Sequence, residues 1–134
     1  MKNGMRRPGV AAGIGSAVDV IAVLVFAAIG RHSHAEAGDV LGLLATAGPF
    51  LVGLASAWVL ARAWRAPLAM RTGLLVWPVT TIVGLAVRAD VTGRLPVTFV
   101  LVVVLSLGVL LLGWRALANA AVRARRQTRG TGAA

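Results

Sequence analysis

Cysteine is absent from this chain, which excludes a disulfide framework, a thiolate metal site and a thiol nucleophile. Charge is scarce too: Asp, Glu, Lys and Arg make up 13% of the residues, against roughly 25% in a soluble domain. Acids are the rarest of these, four in 134 residues. No Gly-rich phosphate loop, nucleophile elbow, H-E-x-x-H motif or pair of intramembrane carboxylates occurs. Ser16, Ser56 and Ser106 have no histidine at matching depth to activate them. No catalytic residue and no cofactor is therefore implied. A chain of this length is one domain and leaves no room for a soluble domain beside its apolar segments.

What the chain has in abundance is hydrophobic sequence, 58% of the total, gathered into four runs. The pattern predicts an all-α integral membrane bundle of four transmembrane helices, spanning about residues 10–30, 40–61, 72–88 and 96–115. Residues 1–9 form a basic N-terminal segment, residues 10–117 the bundle, and residues 118–134 a basic tail, helix-compatible at first and then disordered. Ser33, His34 and Ala35 offer small residues at a signal-cleavage spacing. The preceding run is longer than a signal h-region and carries an acid, so it is taken as a span.

The net charge of +10 would suit nucleic acid, but the basic residues cluster at the ends of apolar runs. Lys2, Arg6 and Arg7 precede the first span, Arg62, Arg65 and Arg71 fill the second loop, and Arg123, Arg125, Arg126 and Arg129 follow the fourth. The other two loops are poorer in positive charge and hold Glu36, Asp39 and Asp90. The positive-inside rule then places both termini in the cytoplasm and the protein in the inner, cytoplasmic membrane. Its expected partners are the lipid bilayer and a second copy or another membrane protein, with no nucleic acid; the tail contacts anionic lipid.

The fourth acid, Asp19, lies inside the first span, where its charged form costs about 2.5–3.5 kcal/mol to insert. On helical spacing it shares a face with Ala12, Gly15, Ser16, Ala22, Phe26 and Gly30, opposite Ile14, Ile21, Leu24 and Val25. Asp19 is therefore expected to point into the bundle. Similar stripes run down the second span (Gly42, Thr46, Pro49, Gly53, Ser56) and the third (Gly73, Trp77, Thr80 or Thr81, Gly84, Arg88). They serve either as packing seams or as the walls of a polar cavity. The fourth span carries only Gly108 and Arg115 on such a face and is expected at the periphery.

Depth counted along the spans sets Asp19 level with Ser56, Trp77 and Thr80. Its expected partners are thus the Trp77 indole, the Thr80 or Thr81 hydroxyl, or Ser56. Arg115 is a candidate ion-pair partner, but Trp114-Arg115 at the end of a span reads first as an interfacial anchor. Pro49 and Pro78 each remove a backbone donor in mid-helix, so kinks or freed carbonyls are expected there. Outside the membrane, His32, His34, Glu36 and Asp39 are metal-ligand types without a framework to fix their spacing. The preferred reading is an outer polar cluster of Arg31, His34, Arg88 and Asp90, with no metal.

These residues resemble a family of small integral membrane proteins, domain of unknown function 3054. The resemblance rests on Asp19, Phe26 and Gly30-Arg31-x-x-His34, then Thr46-Ala47-x-Pro49-Phe50. Trp77, Thr81, Gly84 and Arg88 follow, and Gly113-Trp114-Arg115 closes it. It implies a compact multi-span domain and supplies no activity. Three functions compete on the sequence. The first is a small transporter- or channel-like protein with Asp19 as its functional carboxylate. The second is a non-catalytic scaffold or accessory subunit of a membrane complex. The third is a membrane-embedded enzyme acting on a lipid or isoprenoid, which the missing catalytic set disfavours.

Overall fold

The four apolar runs form four helices in the computed structural model, which describes residues 8–32 and 40–132. Helix α1 spans Pro8–His32, α2 Val40–Ala61, α3 Met70–Thr92 and α4 Val97–Gly132, with one 3-10 turn, Ala63–Arg65, between α2 and α3. Hydrocarbon offers no partner to a backbone N–H or C=O, so a spanning segment must satisfy its own. All four helices are long and apolar enough to cross a membrane; the shortest, of 22 residues, rises about 33 Å against a core of roughly 30 Å. This is an all-helical membrane protein.

The chain runs up and down, so that α1 begins, α4 ends and the α2–α3 link turns at one end of the bundle, here the proximal end. The α3–α4 link turns at the opposite, distal end. There α3 runs past Arg88 to Thr92 and stops at Gly93, whose φ of 69° is one that glycine adopts without strain. The Gly93 N–H donates to the Ala89 carbonyl at 2.8 Å, and Pro96 precedes the first residue of α4. Neither Pro49 nor Pro78 interrupts its helix. Where the sequence pattern favours a disordered tail, α4 continues to Gly132, 36 residues and about 54 Å long. Alanine and arginine, both strong helix formers, dominate the stretch after Leu117, and residues 120–132 are exposed along it.

The small-residue stripes are largely packing seams. Helices α2 and α3 meet where a Cβ on Gly53 would stand 2.6 Å from the Thr80 carbonyl oxygen and 3.0 Å from the Gly84 nitrogen. Gly84 in turn makes room for the Phe50 ring. Phe50 packs edge-on against Phe26 of α1, centroids 5.2 Å apart, and tilted against Phe99 of α4 at 6.4 Å. Fully buried Val23, Val76, Val103, Leu107 and Leu111 complete the interior. Helix α4 is no peripheral addition: it packs on both α3 and α1 and contributes buried Gly108 and Arg115. Ile14, Ile21, Val25, Ile82, Leu105 and Val109 face outward, as a lipid-solvated surface requires. Of the outward set expected on α1, Leu24 alone is partly covered by the bundle.

Candidate functional site

Asp19 turns inward from α1, and both it and Arg115 of α4 are completely buried, with side-chain exposures of 0%. The pairing is bidentate: Arg115 Nη1 donates to Oδ1 at 2.9 Å and Nη2 to Oδ2 at 2.7 Å. Two indoles complete the carboxylate's shell, Trp58 Nε1 donating to Oδ2 at 2.8 Å and Trp114 Nε1 to Oδ1 at 2.8 Å. An ionised carboxylate has about four lone-pair sites, so its accepting capacity is filled from within the protein.

The guanidinium engages four of its five N–H donors, two of them on Asp19. Its Nε donates to the Pro67 carbonyl at 2.8 Å, Nη1 also donates to the Leu111 carbonyl at 2.9 Å, and its face lies 4.6 Å from the Trp114 ring centre. A buried ion pair tolerates its desolvation only under such conditions, with good geometry and most of the remaining donors engaged.

The α2–α3 link seals this pair from the proximal end. Three successive carbonyls of the link each accept a side-chain hydrogen bond: Ala66 from Thr72 Oγ1 (2.6 Å), Pro67 from Arg115 Nε, and Leu68 from Asn119 Nδ2 (2.9 Å). Pro67 is buried against Gly15 of α1, where an added Cβ would come within 2.7 Å of the proline ring. The link enters this path through Arg62, whose φ of 48° and ψ of 49° are left-handed and strained for a residue with a Cβ. Packing of the link against α1, α3 and α4 holds that conformation.

The partners expected for Asp19 from depth are therefore corrected. Trp77 Nε1 donates to the Val104 carbonyl of α4 at 2.9 Å and does not reach the carboxylate. Ser56 and Thr81 donate to carbonyls of their own helices, Val52 (2.9 Å) and Trp77 (2.8 Å), an outlet any mid-helix hydroxyl has. Thr46 does the same toward Gly42 at 3.0 Å. Thr80 Oγ1 is buried and makes no hydrogen bond among the described residues. Arg115, read first as an interfacial anchor, is instead the ion-pair partner; its length lets it reach inward from the end of the span.

The distal cluster is brought together in part. Arg31 and Arg88 line one cavity of about 740 Å³, and Arg31 Nη1 lies 3.5 Å from Thr46 Oγ1. Asp90 is exposed on α3 and is not among the residues lining the cavity. His34, with Glu36 and Asp39, lies outside the described residues, as does the His32 side chain. Among the described residues no three His, Cys, Asp or Glu side chains converge on a metal position.

Sequence reasoning missed Trp58, Pro67, Asn119 and, at the distal end, Arg94 and Phe99. A tryptophan close to the end of a span carries the same signal whether it anchors at the interface or donates inward. For a backbone carbonyl such as that of Pro67 there is no signal in sequence at all.

The sequence profile of one family, described as Protein of unknown function (DUF3054), matches residues 16–118. The matched stretch takes in both members of the ion pair and every arginine of the distal cavity. No curated protein and no solved structure shows significant similarity to the chain.

Proposed function

The chain belongs to this family of proteins of unknown function, and we propose that it is a non-transporting accessory component of the cytoplasmic membrane. In this reading Asp19 is a structural pin and the protein acts through its surfaces. The observation that carries it is the filled hydrogen-bond shell of the Asp19 carboxylate. A carboxylate that relays a proton or binds a passing cation must exchange its partners for cargo or water. Here the exchange would break charge-assisted bonds from three residues in a site with no solvent-exposed surface.

The distal cavity supports the same reading, since neither Asp19 nor any of its partners lines it. Buried Val23, Leu107 and Leu111 occupy the interior beside the pair on the same helices. Purified protein in proteoliposomes is expected to leave imposed proton and monovalent-cation gradients decaying at the rate of protein-free vesicles. Dissipation by the wild type that is abolished in Asp19→Asn would establish the transporter reading in its place.

Orientation follows from charge. The proximal end carries Arg62, Arg65, Arg71 and the four tail arginines, which supports a cytoplasmic location for it and for both termini. Fluorescent-protein fusions at either terminus should fluoresce and phosphatase fusions there should be inactive; opposite behaviour at the two ends contradicts the assignment.

A further inference from the structure

Three arginines line the distal cavity: Arg31 at the end of α1, Arg88 near the end of α3, and Arg94 in the α3–α4 link. Thr46, Thr92 and Thr98 add hydroxyls to the same wall, and no carboxylate lines it among the described residues. Arg88 and Arg94 alone bring two like charges to this wall at a membrane boundary, where they repel more strongly than in water, so an anion between them is favoured.

Arg88 is the best placed. Its guanidinium lies over the Phe99 ring, 4.2 Å from the centroid, and makes no hydrogen bond to another described residue. Stacking through the face leaves the in-plane N–H fork available, the geometry that meets a phosphate with two parallel bonds. Arg31 is accommodated by Gly42, where a Cβ would overlap its guanidinium.

The shape of the cavity says what carries the anion. Its volume, about 740 Å³, falls in the roughly 300–1,000 Å³ range of small-molecule pockets and far exceeds the need of a bare phosphate. Phe26, Phe99 and Val102 form its apolar side. A second cavity of about 100 Å³ shares Phe26, Gly30 and Val102 with the first and continues between α1 and α4 to Ser106 and Leu110. Ile29, which also lines it, is 64% exposed on the lipid-facing surface. The ion pair joins α1 to α4 toward the proximal end, and toward the distal end the second cavity between these helices extends to exposed Ile29.

We propose that this crevice binds a bilayer amphiphile whose phosphate headgroup carries net negative charge, the headgroup held by Arg88 and Arg94 and the chain in the α1–α4 seam. The proposal does not depend on the accessory role. Both a transporter and a scaffold can hold such a ligand.

Binding of a fluorescent short-chain phosphatidylglycerol to the purified full chain in detergent tests it, with phosphatidylcholine and inorganic phosphate as competitors. Saturable binding is expected, weakened at least about tenfold by Arg94→Gln and about a hundredfold by Arg88→Gln with Arg94→Gln, as loss of one and two bonds to a charged group implies. Arg94 is exposed in the link, so its variant should keep the thermal stability of the wild type and isolates recognition from folding. Ser106→Trp, which fills the seam, should also abolish binding. Equal binding by the double arginine variant overturns the proposal, as does equal competition by phosphatidylcholine. Displacement by inorganic phosphate at comparable concentration identifies a free-anion site and overturns the amphiphile.

Discussion

Arg115→Leu is expected to destabilise the bundle by about 3–5 kcal/mol, the cost of leaving one member of a buried ion pair without the other. The substitution removes both guanidinium bonds to Asp19 together with those to Pro67 and Leu111, and it leaves the carboxylate supported by two indoles alone. It also unfastens the α2–α3 link, whose Pro67 carbonyl loses its donor. Asp19→Leu should fall in the same range, because it strands the cation. Trp58→Phe removes one donor from a filled shell and should cost about 1.5–3 kcal/mol, the range for a hydrogen bond to a charged group. Resistance to unfolding in nanodiscs should rank the three variants accordingly. A tolerated Arg115→Leu would mean the guanidinium carries none of the structural burden assigned to it.

Gly53→Ala is expected to separate α2 from α3. Helix propensity alone favours the change by about 1 kcal/mol. Packing opposes it more strongly, because the new methyl would meet the Thr80 carbonyl oxygen at 2.6 Å and the Gly84 nitrogen at 3.0 Å. Those neighbours are backbone, which cannot swing aside as a side-chain tip can, so the helices must move apart. Overpacking of this kind costs about 1–3 kcal/mol for small insertions, and Gly53→Leu should exceed that range. Gly48 in the same helix supplies the control: nothing lies within 4 Å of a Cβ there, and Gly48→Ala should be neutral or slightly stabilising. Thermal stability of the three variants in one detergent checks the order. Indifference to Gly53→Leu would contradict the close α2–α3 contact.

Much of this architecture is legible in the residues. The apolar runs give four helices because hydrocarbon forbids unpaired backbone, and helical spacing turns Asp19 inward toward small neighbours. Its partners are less legible. Depth counted along spans assumes helices of equal extent, whereas α1 begins at Pro8 and α4 runs to Gly132. Ser56 and Thr81 look available in sequence but are satisfied by their own helices. Trp114-Arg115 reads the same whether it snorkels outward or reaches inward, and only the folded α2–α3 link decides between them. The distal cavity was half visible, through Arg31 and Arg88. Arg94 and Phe99 join it because of where Gly93 turns the chain.

A double-mutant cycle on Asp19 and Arg115, read as resistance to unfolding in nanodiscs, bears most directly on the pin at the centre of the bundle. Asp19→Leu and Arg115→Leu together should be less destabilising than either alone, since an apolar pair replaces a stranded charge. If the double variant instead loses the sum of the two single losses, the residues act independently and the sealed ion pair does not hold the helices together.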